Sequence, residues 1–376
     1  MSRPALFIGS EIYRDSSYGR DHPLGIPRVS ACIDLARALN WLGDDAYVDS
    51  PQATRADLER FHDPAYIRAL MAAEESQVVS PEIAERHHIG SNGNPVFPEM
   101  FRRPATAVGG GQLAARLLRQ GGTVYSPGGG QHHGRPDRAA GFCYFNEPAL
   151  SILALLDNGA ERVFYLDLDA HHGDGVQDAF HDDDRVFTLS IHEDERWPMR
   201  RGEGAAASGG IDDRAGGAAR NLPVPRGFND SELEYLTETV VLPLIQAWRP
   251  DALFVQGGSD ALADDPQSRL ALSNTALWRV VAQVSDLAPR LMVVGGGGYN
   301  PWSVARCWTG IWGTLNGFDT PDALPSAAEI FLRSLRWNHK RGRTPPEHWF
   351  TTLADAPNPG PVRDDVRALA RAALAD

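Results

Sequence analysis

Three carboxylates and two imidazoles stand within the eight residues Asp167-Leu168-Asp169-Ala170-His171-His172-Gly173-Asp174, at the end of the apolar run Val163-Phe164-Tyr165-Leu166. Burying so many ionisable groups at the end of a core strand is costly without a compensating charge, and a divalent cation is the simplest one. Asp169 and His171 alternate along an extended backbone, so their side chains point the same way, as two ligands of one metal must.

The pattern recurs along the chain. Apolar runs lead into Gly128-Gly129-Gly130-Gln131-His132-His133-Gly134, Ser190-Ile191-His192, Gly257-Gly258-Ser259-Asp260 and Gly295-Gly296-Gly297-Gly298-Tyr299-Asn300. Open α/β sheets bind ligands outside the carboxyl ends of their strands, so these clusters are expected to converge. Asp260 is the natural third ligand: two carboxylates and one imidazole neutralise a dication and leave a fourth position for water. Taken singly, Asp260 is equally well a helix N-cap and His171 a core histidine; their joint occurrence at strand ends carries the argument. His132 and His133 would diverge in an extended segment, but a tight glycine-rich turn lets both face the metal. There, histidine titrates in the range a base and an acid need. Asp167 and Asp174 are free to orient these imidazoles, although Asp174 between Gly173 and Gly175 would also serve as a turn cap. Tyr299 can donate to a carbonyl oxygen opposite the metal. His172 has no assigned role.

Positioning these groups takes a parallel sheet. Strands are expected at Ala5–Ile8, Thr123–Tyr125, Val163–Leu166, Val186–Ile191, Leu253–Val255 and Leu291–Val294. Helices are expected at Pro148–Leu156, Ser231–Trp248, Leu270–Leu287 and Trp302–Leu315, and this alternation implies an α/β fold with helices on both faces. Cys32, Leu35, Ala36 and Leu39 mark an earlier helix by their spacing, and the helical stretch Thr54–Met71 breaks near Asp63-Pro64. Within a helix over Ala105–Arg119, Gly109-Gly110-Gly111 and Ala114 match a dinucleotide fingerprint, but no strand precedes them, and close helix packing is the better explanation. A long loop covers Arg196–Arg220. The Pro-rich end, Asp355–Pro361, leads to a short amphipathic helix, Val362–Ala375, with a face for the body of the protein or for a second subunit, so a homo-oligomer is open.

The 376 residues are 42% hydrophobic and 23% charged, with a net charge of −13, which argues against nucleic-acid and anionic-membrane binding. The three cysteines, Cys32, Cys143 and Cys307, form no Cys-x-x-Cys pair, and no run approaches the ~18 apolar residues that span a membrane. A reducing, cytoplasmic setting is expected.

The segments GGGQHHG, GFCYFN (Gly141–Asn146), YLDLDAHHGDGVQDAF, GGSDALADDP and GGGGYNPWSVARCW resemble the zinc-dependent histone deacetylase family, including its bacterial acetoin-utilisation and deacetylase-like members; the match runs from His22-Pro23 to about Trp337. The resemblance implies an arginase/deacetylase fold over 1–376, one mostly parallel sheet, and a tunnel to a single Zn²⁺ or Fe²⁺. By resemblance, Asp169, His171 and Asp260 are the ligands, His133 with Asp174 the base and acid, His132 with Asp167 the electrostatic partner, and Tyr299 the carbonyl polariser. It also implies substrate contacts at Gly141, Phe142, Trp197, Gln267 and Gly297, and an acetate channel at Arg28. A structural potassium site is implied at Asp167, Asp169, His171, Ser190 and Ile191. Gly93, Gln131 and Gln267 depart from the family pattern and bear on how substrate is gripped. The implied activity is removal of a short acyl group from Nε-acyl-lysine, in a peptide or protein, or from a small acylated amine. The alternatives are an acetylpolyamine deacetylase, a binuclear manganese ureohydrolase and a non-catalytic zinc-bound acyl-lysine reader.

Overall fold

Side chains alternate across each short apolar run, and both faces of the resulting sheet are covered. The computed structural model describes residues 4–199 and 208–375. Eight strands, β1 (Leu6–Gly9), β2 (Tyr47–Asp49), β3 (Gly122–Ser126), β4 (Val163–Asp167), β5 (Val186–Glu193), β6 (Ala219–Val224), β7 (Ala252–Gln256) and β8 (Arg290–Val294), form one sheet in the order β2-β1-β3-β8-β7-β4-β5-β6. Every pairing is parallel. Phe164, Leu166, Leu253, Val255, Leu291 and Val293 enter one hydrophobic core, and Val163, Tyr165, Phe254, Met292 and Val294 enter the opposite one. This is period-two alternation buried on both sides. Each fully buried Leu, Val or Phe contributes about 1.5–3 kcal/mol.

The helices follow the expected order with local differences. The chain between Leu270 and Ser273 is not helical: Leu272 bridges Leu262, and the helix begins at Asn274, where the Ser273 side chain caps the Ala276 amide. The helix expected over Ser231–Trp248 contains a π turn at Thr237–Val241. Asp63-Pro64 does divide its stretch, with Pro64 opening the helix Pro64–Ser76. The glycines of the helix Arg102–Leu117 serve packing, since a Cβ on Gly109 would meet the Pro51 carbonyl oxygen at 1.9 Å.

Two strands have no counterpart in the expected set, β2 and β6. The loop expected over Arg196–Arg220 ends two residues early, because Ala219 and Arg220 begin β6; its residues 200–207 lie outside the described residues. The C-terminal helix Asp364–Leu374 docks on the body, burying Val366, Ala370 and Ala373, and Arg220 Nε of β6 donates to its Ala373 carbonyl at 3.0 Å. It thereby covers the edge of the sheet. Among the described residues, no helix is long and apolar enough to cross a membrane.

Candidate active site

The clusters that end β3, β8, β7, β4 and β5 are neighbours in that order, so the strand order alone brings them together at the carboxyl edge. Asp169, His171 and Asp260 each offer a ligand atom, all within 4.8 Å of one another. His171 Nδ1 lies 3.2 Å from Asp169 Oδ1 and 2.9 Å from Asp260 Oδ2. Backbone amides hold the carboxylates in place: Gly297 donates to Asp169 Oδ2 at 2.5 Å and Ala170 to Asp260 Oδ1 at 3.0 Å. Burial and then the neighbouring Asp169 push Asp260 up. Burial opposes a charged His171, yet Asp169 and Asp260 outweigh it and hold the imidazole up at about 10. The pocket therefore demands positive charge, and this oxygen and nitrogen donor set fits a divalent cation such as Zn²⁺ or Fe²⁺.

The two histidines of the glycine-rich turn do face the same site, with ring centroids 3.9 Å apart. The turn depends on Gly130, at φ +93°, where a Cβ would meet the Gly296 amide nitrogen at 2.6 Å. Glu147 fastens the turn from below by accepting the Gly130 amide at 2.7 Å. His132 Nδ1 lies 2.7 Å from Asp167 Oδ2, which also accepts the Tyr165 hydroxyl. His133 Nδ1 lies 2.7 Å from Asp174 Oδ1, and Arg135 donates to the other oxygen of that carboxylate. Burial alone would push both rings down. The carboxylates of Asp167 and Asp169 reverse this at His132 and hold it at about 9, whereas burial and the charge of His132 push His133 to about 4.

Tyr299 is buried, and its amide donates to Asp265 Oδ2 at 2.7 Å. Burial, then the charges of Asp260 and Asp169, push its phenol well above the ordinary value, so the hydroxyl keeps its proton. An outer cavity of about 570 Å³ is lined by His133, Gly141, Phe142, His171, Trp197, Gln267 and Tyr299. Phe142 packs edge-on against Tyr299 at 6.0 Å, and Trp197 stands 4.6 Å from the His133 ring. Behind the histidines, an inner cavity of about 50 Å³ is lined by Arg28, Tyr18, Arg103 and Gly297 among others, and Arg28 Nη1 donates to the Gly296 carbonyl at 2.8 Å. Asp167 and Ser190 stand in register on β4 and β5, while Ser190 Oγ pairs with His192 Nδ1 at 2.8 Å. His172 is buried against the His192 ring at 4.8 Å, with no hydrogen-bond partner for either nitrogen among the described residues.

Several supports were not singled out from sequence. Asp265 accepts both the Tyr299 and Gln267 amides, tying the Asp260 loop to the Tyr299 loop. Burial and then Asp260 push it up to about 8. His62 accepts the Asn146 amide at Nε2 and contacts the Arg135 carbonyl through Nδ1 at 2.9 Å. Arg135, His62 and Glu147 lie outside the strand-end clusters or at their margin, and only the Asp-rich GGSDALADDP run carried a hint of Asp265.

Comparison with known proteins places the chain in a family. A histone deacetylase domain matches residues 22–315. Acetoin utilization protein AcuC of Bacillus subtilis is 32% identical over 331 residues, covering 86% of this chain and 85% of AcuC. Histone deacetylase clr6 of Schizosaccharomyces pombe is 33% identical over 320 residues, covering 82% of this chain and 76% of clr6. A Caenorhabditis elegans histone deacetylase relative, 32% identical over 367 residues, is spanned over 66% of its length. The crystal structure of an HDAC homolog from Aquifex aeolicus superposes with a TM-score of 0.92 at 34% identity, covering 99% of this chain and 100% of that one. An HDAC homolog complexed with SAHA superposes equally well, with a TM-score of 0.92.

Proposed function

The chain belongs to the histone deacetylase family and is a deacetylase of the arginase/deacetylase fold, and from that premise we propose that it removes a short acyl group, acetyl above all, from Nε-acyl-lysine or a related acylated amine. The observation that carries this reading is the convergence of the Asp169, His171 and Asp260 donor set, the two histidine–aspartate pairs and Tyr299 on one cavity. A Zn²⁺ or Fe²⁺ ion on that donor set would supply Lewis acidity toward a carbonyl and a lowered pKa for water.

The chain's own groups do the rest. Phe142 and Trp197 flank the outer cavity and sheathe the methylenes of a lysine-like chain, each buried methylene contributing about 0.8 kcal/mol. His133, neutral and fixed at Nδ1 by Asp174, takes the proton of the attacking water at Nε2 and returns it to the departing amine. His132, held charged by the buried carboxylate of Asp167, favours the negative charge that develops nearby. The Tyr299 hydroxyl donates to the carbonyl oxygen as it becomes an oxyanion, a contact worth about 10²–10³ in rate. The inner cavity below Arg28 suits a small carboxylate product. A structural potassium ion at Asp167, Asp169, His171, Ser190 and Ile191 belongs to the same proposal, as does a cytoplasmic setting, which the buried, unpaired Cys32, Cys143 and Cys307 favour.

The test is hydrolysis of an acetyl-lysine peptide by the purified, zinc-loaded protein. Chelation is expected to abolish turnover and added zinc to restore it, while Tyr299→Phe is expected to lower kcat by about 10²–10³. Full activity in both the stripped protein and the Phe variant overturns the mechanism.

A further inference from the structure

Tyr299 and Gln267 line a second cavity besides the outer one. This groove, about 920 Å³, runs from them past His22 and Arg20 to the segment that follows the helix Ser326–Ser334. Nothing in the proposed chemistry uses it.

Its far wall is strongly basic in an otherwise acidic chain. Arg20, Arg333 and Arg336 line it, and Lys340, Arg341 and Arg343 stand beside it on the same segment, residues 333–343, which contains no acidic residue, whereas the whole chain carries a net charge of −13. Arg333 is neutralised by Glu329 and Glu347. The others are not: Arg336 donates to the carbonyls of Arg333, Ser334 and Leu335, and Arg341 to the Asp265 carbonyl at 3.3 Å, contacts that fix the side chains but leave their charge. Arg20 and Lys340 have no ion-pair partner among the described residues. The one acid on this wall, Asp21, accepts from Asn338 at 3.2 Å. His339, also in the groove, is pushed below its ordinary value by partial burial and then by Arg341 and Lys340, as unneutralised positive charge requires. By contrast, the opposite rim of the outer cavity mixes Glu193, Asp194 and Glu195 with Arg196, Arg226 and Arg269.

A ligand reaching from the outer cavity into this groove must be extended, must pass Gln267, and must bring negative charge to Arg20 and Arg336. The stacked rings of Trp337 and His339, with centroids 4.4 Å apart, give it a flat apolar floor. We propose that the groove binds an acidic polypeptide segment flanking the acylated residue, so that the substrate is a peptide or protein with Asp or Glu close to its acyl-lysine. This rests on the deacylase reading above and narrows it from acylated amines in general to an acidic peptide.

The test compares three acetyl-lysine substrates on the zinc-loaded full chain: a peptide with Asp and Glu flanks, one with Lys and Arg flanks, and acetyl-lysine amide. The acidic peptide is expected to have the highest kcat/KM, about tenfold above the basic one at low salt, since each exposed ion pair supports a change of up to about fivefold. Raising ionic strength shrinks that ratio. In Arg20→Glu/Arg336→Gln the ratio falls to about one or inverts, with a thermal midpoint like that of the unmodified protein showing that the fold is intact. Turnover without acidic preference, or a preference that survives the double substitution, overturns the groove assignment. Absence of turnover on all three substrates overturns the deacylase reading itself.

Discussion

His132 and His133 are neighbours in sequence, and each sets Nδ1 at 2.7 Å from an aspartate, yet their surroundings drive them to opposite charge states. His132 faces Asp167 and, 3.8 Å from its other nitrogen, Asp169. His133 faces Asp174, whose second oxygen is already taken by Arg135. Burial pushes Asp174 up, but His133 and Arg135 together bring it well below the ordinary carboxylate range, so it is ionised, and the positive charge of Arg135 beside it offsets part of its pull on the histidine. The difference teaches that an aspartate partner does not by itself decide whether a histidine is charged. Burial, how many carboxylates surround the ring and which positive charges stand beside it decide it.

Substituting the two histidines breaks the comparison most severely. His133→Ala is expected to lower kcat by about 10²–10⁴, the range of a lost general base. His132→Ala, which acts through charge and orientation, is expected to cost only about 10–10². Steady-state rates on one acetyl-lysine peptide measure both, and equal losses would erase the distinction.

Arg135→Met sharpens the comparison with a smaller effect. With the guanidinium gone, a positive charge beside the Asp174–His133 pair is removed, the protonated imidazole is stabilised and its pKa rises. Because the base works unprotonated, the acidic limb of kcat/KM moves to higher pH. Arg135→Lys is expected to restore most of the original profile, and an unmoved limb in the Met variant contradicts the coupling.

The smallest expected effect is on stability, at the turn that brings the two rings together. Burial pushes Glu147 up from 4.5 to about 7, with the Ser151 hydroxyl and Gly130 amide offsetting it only in part. Between those pH values the unfolded chain has released the proton and the folded chain has not, so stability falls as pH rises through the window and levels off above it. The loss is on the order of 3 kcal/mol. Urea unfolding of Glu147→Gln across the same window is expected to show a flatter profile than the unmodified protein.

The metal donors were legible because Asp169 and His171 alternate on a strand end and Asp260 ends a neighbouring strand, so local periodicity sufficed. The order of the central strands then gave convergence, and Gly109 was rightly read as packing. What sequence hid lies in tertiary contact. Tyr47-Val48-Asp49 is too short and too exposed to read as a strand, and Ala219–Val224 carries Arg220, Asn221 and Pro223, which break an apolar pattern. Arg135, His62 and Asp265 are ordinary polar residues until the fold sets them against Asp174, Asn146 and Tyr299. The adjacency of the two histidines, which suggests divergent rings, was resolved only by the turn at Gly130.

The central claim is the unequal charge of the two rings, and long-range ¹H–¹⁵N NMR of the imidazoles in the metal-free protein at pH 7 tests it most directly. The account predicts His132 protonated on both nitrogens and His133 neutral, with its proton on Nδ1 toward Asp174. Two rings in the same protonation state, or the reverse assignment, would contradict it.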